Sequence, residues 1–328
     1  MESIPNVSAA SRANPDAAGI TVEGLTKTYR SGKVRALDAV SLRVRPGEVL
    51  GVIGPNGAGK TTLMGCMLGF LRPDAGTVAI DGHPPDDLSV RGATGYLPER
   101  LTLDRWMTGL GYLRYQHALA RLPAETRDQD ARAWLARVGL DPAAGDRTVR
   151  RYSQGMLQRL GLAQALLGCP RFLFLDEPTS GMDPEGVVLF RRIVGDLKGS
   201  GVTVILNSHQ LDQVERVCDR VAFVQRGKVE SIDTLTAGAQ LERLLRVRFA
   251  AGSFPSSDAL ARCARESGAE LVEVAPGEGR FQVSGDEGAV RLLRALVGAG
   301  LAVVEANADQ GRLERLFTAA APPAGDAR

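Results

Sequence analysis

Nine residues, Gly54–Thr62 (GPNGAGKTT), place three glycines, a lysine and two threonines directly behind an apolar run. They match GxxxxGK[ST] at Gly54, Gly59, Lys60 and Thr61. The glycines let the backbone curl, so that successive N–H groups converge on one cluster of phosphate oxygens. A helix opening at this point adds the positive end of its dipole. Gly54, Pro55, Asn56, Gly57, Ala58, Gly59, Lys60, Thr61 and Thr62 would together cradle a triphosphate such as ATP. Lys60 would neutralise the β- and γ-phosphates and Thr61 would ligate Mg2+. A glycine-rich turn with a chance lysine would lack the strand before it and the helix after it.

A second stretch, Phe172–Pro184 (FLFLDEPTSGMDP), ends an apolar strand in two adjacent carboxylates. Asp176 falls at the carboxyl end of that strand, where α/β sheets bind ligands, and could hold Mg2+ through water. Glu177 could position or deprotonate an attacking water. A solvated acidic turn is the weaker reading, since buried apolar strands seldom end in paired acids without a cation to offset them. His209 directly follows another apolar run, Val202–Leu206, which puts it at the same sheet edge. There it could meet a γ-phosphate, although a lone histidine is more often a surface or capping group. Tyr152–Met156 (YSQGM) precedes a helical segment. Ser153 is either its N-cap or, with the Gly155 N–H, part of an anion site, and sequence physics leaves both open.

The elements that must position these groups follow from periodicity. Val40–Val44 and Val49–Ile53 read as strands, and a helix runs from the phosphate loop toward Leu71. From about Leu101 to Cys169 the spacing is helical, as in Asp128–Val138 and Gln154–Leu167. Strand character returns at Phe172–Leu175, Val202–Leu206 and Arg220–Gln225, with helices at Pro184–Lys198 and Leu211–Cys218 between. Such alternation implies a mostly parallel sheet covered on both faces, with residues 100–168 as an inserted helical subdomain. After about Ala237 the order strand, helix, hairpin, helix, strand matches a ferredoxin-like plan. The division expected is a disordered lead at 1–19, a nucleotide-binding domain at 20–236, an accessory domain at 237–320 and a disordered tail at 321–328.

Of the 328 residues 44% are hydrophobic and 24% charged, and 40 basic against 38 acidic residues give a net charge of +2. This balance argues against a nucleic-acid partner, which calls for concentrated positive charge. No apolar run approaches the ~18 residues of a membrane helix, and the N-terminus has no secretory pattern, so a cytoplasmic location is expected. Cys66, Cys169, Cys218 and Cys263 are too widely spaced for a zinc or redox motif.

Phosphate loop, YSQGM, FLFLDEPTSGMDP and Asn207-Ser208-His209 occur in the order of the ATP-binding-cassette (ABC) transporter ATPases, and about Ile20–Asp233 resembles that family. The resemblance implies an α/β P-loop cassette with a mixed sheet core and a helical insertion, followed here by a small α+β ferredoxin-like domain. It implies that Ser153, Gln154, Gly155 and Met156 form the signature loop, which contacts ATP held by a second subunit, expected to be a like chain. It also implies that Asp183 lies in the loop coupling the two sites, that His209 is the switch histidine, and that Tyr29 stacks on adenine. Strand-end packing is the other reading of Tyr29. Glu99, in GYLPE, stands where the family usually has a glutamine that ligates Mg2+ and contacts the membrane partner. Glu99, Tyr152, Gln154 and Met156 resemble the subgroup serving ABC-2-type exporters. The implied role is ATP hydrolysis that powers a separate membrane permease, with the chain peripheral to the inner face of the membrane. LERLF at Leu313–Phe317 resembles the accessory domain found in that subgroup. That domain is expected to extend the dimer contact. A soluble ABC ATPase acting on ribosomes or DNA would call for two fused cassettes or a long coiled coil. A small-molecule kinase would leave YSQGM and SGMDP unexplained.

Overall fold

A computed structural model describes residues 19–29, 33–235, 242–250 and 254–308. The chain divides into two compact units, Met1–Leu235 and Thr236–Arg328. The first opens with strands β1 (Ile20–Tyr29), β2 (Val34–Val44) and β3 (Val49–Ile53), then helix α1 (Lys60–Met67). Strand β4 (Ala75–Ile80), the short helix α2 (Leu88–Gly92) and β5 (Thr94–Leu97) follow. Helices α3 (Gly109–Leu119), α4 (Arg127–Arg137), α5 (Pro142–Gly145) and α6 (Gln154–Leu166) come next. The unit closes with β6 (Phe172–Asp176), α7 (Pro184–Gly199), β7 (Thr203–Asn207), α8 (Leu211–Val217), β8 (Arg220–Gln225) and β9 (Lys228–Thr234).

Six strands form one sheet in the order β5-β6-β7-β3-β8-β9, parallel except for the β8–β9 pair. Every residue of β3, β6 and β7 is buried. That follows from the sequence, because VLGVI, FLFLD and TVILN are continuous apolar runs and both sheet faces are covered. Three further strands form a separate antiparallel sheet in the order β2-β1-β4. Sequence periodicity marks Val40–Val44 of β2 but not β1, and it does not separate the two sheets. Their half-buried patterns fit an antiparallel sheet with one face on the core. Leu37, Leu63, Met67, Phe174 and Ile205 join the two sheets across one apolar cluster. Burying each such side chain contributes about 1.5–3 kcal/mol.

Helices α3 to α6 fill the interval between β5 and β6. Leu110, Leu113, Leu135 and Leu160 are buried among them. His117 is fully buried on α3, its Nε2 3.0 Å from Asp130 on α4.

The second unit runs β10 (Glu242–Phe249), α9 (Ser257–Ser267), β11 (Glu270–Ala275), β12 (Glu278–Ser284), α10 (Gly285–Gly298) and β13 (Val303–Ala308). Its antiparallel sheet has the order β11-β12-β10-β13 around Val247, Leu260, Phe281, Leu292 and Leu296. Gly277, at φ 83°, makes the β11–β12 turn. The expected lead apart from Gly19, LERLF at Leu313–Phe317, and the tail at 321–328 lie outside the described residues.

Gly95 on β5 fixes how closely α6 packs. A Cβ there would lie 1.9 Å from the Ala165 carbonyl oxygen, and backbone cannot yield as a flexible side chain does. Gly95→Ala should therefore destabilise the first unit by about 1–3 kcal/mol or more, read as a lowered unfolding midpoint in denaturant. An unchanged midpoint would contradict this packing.

Candidate functional site

The site is set by the register of three strands. Val52 on β3 pairs with Asn207 on β7, and Asn207 pairs with Asp176 on β6. Their carboxyl ends coincide, so the loop leaving β3, the acidic pair ending β6 and the Ser208–His209 turn leaving β7 share one edge.

The loop from Gly54 to Gly59 needs its glycines. Gly54, Gly57 and Gly59 have φ of 154°, 78° and 107°. A Cβ on Gly54 would lie 2.0 Å from the Val224 carbonyl oxygen, and one on Gly59 2.3 Å from that of Ala36. The chain is held tightly there, against β8 and β2. Helix α1 starts at Lys60 with Gly59 as N-cap and no side chain capping it. Its first N–H groups therefore face the loop without an intrahelical partner, which suits an anion. Lys60 Nζ donates to the Gly54 and Pro55 carbonyls at 2.8 and 3.1 Å. Burial lowers the Lys60 pKa, while Glu177 and Asp176 oppose that shift. The exposed hydroxyl-bearing Thr61 follows on the same helix.

Asp176 is buried, and Asn207 Nδ2 donates to its Oδ1. Burial raises its pKa; the Asn207 hydrogen bond opposes this, and the charges of Glu177 and Glu99 add to it. Asn207 Oδ1 is buried with no partner. Leu97 pairs with Leu175, so Glu99, exposed just beyond β5, lies at the same edge as the acidic pair. An uncompensated carboxylate, a second one beside it and an orphaned amide oxygen together suit a hard cation. Among the described residues no cluster of three His, Cys, Asp or Glu side chains could hold a metal by itself. The donor set of Thr61, Asp176 and Glu99 fits Mg2+, which binds through one or two carboxylates plus phosphates and water.

Glu177 is held on all sides. Its N–H donates to the Asn207 carbonyl at 2.8 Å. One carboxylate oxygen accepts from the His209 backbone N–H at 3.1 Å. The other lies 2.9 Å from His209 Nδ1 and accepts from Ser208 Oγ at 3.3 Å. Its φ of 49° is left-handed, which costs a non-glycine residue about 1–3 kcal/mol and persists only where surrounding contacts enforce it. The His209 side chain is 65% exposed, so the ring reaches outward from the carboxylate it touches.

Ser153 does cap α6, accepting from the Met156 N–H at 3.2 Å, and Gly155 and Gln154 pack against Gly181. Asp183 caps α7 by accepting from the Gly186 N–H at 3.1 Å, and it pairs with Arg159. Both residues thus have a structural duty whatever else they do. Tyr29 ends β1, is 37% exposed and pairs with Val34. Lys27 Nζ lies 5.9 Å from its ring centroid. Two residues along β2 from Val34, the Ala36 carbonyl faces Gly59, so Tyr29 belongs to the sheet that flanks the phosphate loop.

Residues 37–180 match the sequence model of the ABC transporter family. A daunorubicin resistance ATP-binding protein of Streptomyces coeruleorubidus is 39% identical over 69% of this chain and 73% of its own length. The chain belongs to the ABC transporter ATP-binding family. An ABC transporter ATP-binding protein of Nostoc sp. is 43% identical over 64% of this chain, and the chain spans 64% of its length, under two thirds. An ATP-binding cassette solved as a dimer with ADP and phosphate has the same fold, with a TM-score of 0.62 and 24% identity over 66% of this chain and 99% of its own.

Periodicity alone did not point to Asn207, Gln158 or Arg159 as members of this ABC site. Gln158 donates to the Glu177 carbonyl at 3.0 Å. The signal was present: Gln158 shares its helix face with the buried Gly161, Leu162 and Ala165, where an apolar residue is the norm.

A carboxyl whose pKa is raised on folding binds protons more tightly in the folded state, so its ionised form costs stability above the folded pKa and the cost vanishes below it. In nucleotide-free protein Asp176→Asn should thus raise the melting temperature at about pH 7.5, with the gain narrowing as the pH falls toward the unfolded Asp value of about 4. A lowered melting temperature at the higher pH would contradict the burial argument.

Proposed function

We propose that this chain is the ATP-binding and ATP-hydrolysing subunit of an ABC exporter, acting as a dimer on a separate membrane permease. The observation that carries this reading is the meeting of the phosphate loop, Asp176 and the doubly held Glu177 carboxylate at one sheet edge. Such an edge has each part that phosphoryl transfer to water needs: a cradle, a cation site and a positioned base.

Tyr29 stacks on adenine, and Asn56 to Thr62 with the α1 N-terminus hold the triphosphate. Lys60 leaves its two carbonyl partners for the β- and γ-phosphates. Thr61 and Asp176, with Glu99, would hold Mg2+, which would supply charge neutralisation at the phosphate oxygens. Glu177 orients the water and accepts its proton as the oxygen attacks the γ-phosphorus and the bond to the bridging oxygen of ADP breaks. His209 fixes the carboxylate through Nδ1 and offers Nε2 to the γ-phosphate. Ser153, Gln154, Gly155 and Met156 complete the site of the second chain, and Asp183 lies beside them. ATP thereby joins two chains, and hydrolysis releases them.

Export as the direction is supported by the daunorubicin resistance relative and by the YSQGM form of the signature. Among the described residues no helix is long and apolar enough to cross a membrane, so the path for cargo belongs to partner subunits. Those partners would hold the chain at the inner face of the membrane. The residues after about 236 would add to the dimer contact.

Glu177→Gln should keep ATP binding while lowering turnover by more than about 100-fold, a loss typical for removal of a catalytic base. Binding is read with a fluorescent ATP analogue and turnover by phosphate release. Wild-type turnover in the variant would overturn the role of Glu177.

A further inference from the structure

Helix α6 touches more of the site than its first turn. Gln158 lies five residues past the Ser153 cap, about 7 Å along the axis, and is 1% exposed. Its side chain meets the Glu177 carbonyl oxygen at 3.0 Å. A carbonyl only accepts, so the facing atom must be the amide nitrogen. The Glu177 N–H is already bound to Asn207. Both backbone groups of this left-handed residue are thus pinned, the N–H from β7 and the carbonyl from Gln158 of α6 together with the Ser180 N–H at 3.1 Å.

The next residue makes a parallel tie. Arg159 donates to Asp183 and, at 3.0 Å, to the Gly139 carbonyl. Gly155 approaches the Gly181 backbone so closely that a Cβ would lie 2.9 Å from its carbonyl oxygen. Residues 155, 158 and 159 therefore bind the start of α6 to both the acidic pair and the loop Ser180–Asp183.

We propose that Gln158 is a positioning residue that couples each chain's YSQGM loop to its own Glu177, so that ATP gripped by the loop in one site sets the carboxylate of the other. This rests on the dimeric reading above. There, Ser153 and Gly155 contact ATP on the second chain, whereas Glu177 serves the ATP of its own. A helix displaced by ATP at its N-terminus carries Gln158 with it. The hydrogen bond then passes that displacement to Glu177, whose backbone is left-handed and whose carboxylate must face the water.

The test uses the full chain and two variants, Gln158→Met and Gln158→Glu. Gln158→Met keeps the volume and removes the donor. It should lower kcat by about tenfold, change the half-saturating ATP concentration by less than about twofold, and flatten a sigmoidal ATP dependence toward a hyperbola. Gln158→Glu removes the donor when ionised and restores one when protonated. Burial raises the pKa of such a carboxyl, so its activity relative to wild type should recover from about pH 8.5 to about pH 6. A merely structural glutamine would also lose rate with pH, through the cost of an ionised buried carboxyl, but would leave the sigmoidal ATP dependence as in wild type, whereas here the sigmoid flattens and recovers together with the rate. Wild-type rate and cooperativity in Gln158→Met, or a deficit in Gln158→Glu that is pH-independent or leaves the sigmoid as in wild type, would overturn the proposal. If Gln158→Met folds poorly, the joint recovery of rate and sigmoid in Gln158→Glu decides alone. A wild-type chain without ATP turnover would instead contradict the ATPase reading, a separate result.

Discussion

The parallel pairing of β3, β7 and β6 brings Val52, Asn207 and Asp176 level, and everything at the site depends on that register. A slip of one residue would take Asp176 and Asn207 out of line with the phosphate loop and would exchange the side chains packed on the two covered faces, so close packing on both sides opposes it. The hydrophobic core thus does positional work. It fixes where the phosphate loop leaves the sheet, and it fixes the distance from that loop to two carboxylates. Gly95 and Gly54 extend the same constraint outward, because backbone approaches backbone at both and no side chain could stand between.

Electrostatics then explains why such an edge calls for a ligand. Asp176 and Glu177 are adjacent, Glu99 lies near them, and Lys60 is the cation whose burial they partly offset. Asn207 satisfies one oxygen of Asp176 and leaves its own Oδ1 without a partner. The nucleotide-free site is therefore an arrangement of partly unpaid desolvation. A bound cation with a triphosphate would compensate it, consistent with sites that store cost where they act.

Much of this was legible in the sequence, for physical reasons that differ by element. Buried parallel strands read directly as VLGVI, FLFLD and TVILN, and Gly54–Lys60 reads as a phosphate cradle because only glycines permit its φ values. The antiparallel sheet β2-β1-β4 was not legible as a separate sheet, since alternation marks a strand and says nothing of its neighbours. Ser153 and Asp183 illustrate a different limit. Both prove to be helix caps; for Ser153 a cap and an anion contact ask for the same residue type at the same place, while for Asp183 the capping carboxylate says nothing of the loop's second role. Gln158 escaped because one polar residue on an apolar face announces a buried hydrogen bond without naming its partner, which lies 19 residues away. Glu177 was found as an acid, but its left-handed backbone follows from tertiary contacts alone.

On the proposed reading the chain holds half of a site: the cradle and the acidic pair sit at the sheet edge, while the Ser153 turn sits at the head of α6. In that reading ATP is held between two chains. Sedimentation of Glu177→Gln with and without ATP measures this most directly. The mass should double when ATP is added, and the same variant carrying Ser153→Arg should stay at the mass of one chain. ATP-independent mass, or a doubling that survives Ser153→Arg, would contradict it.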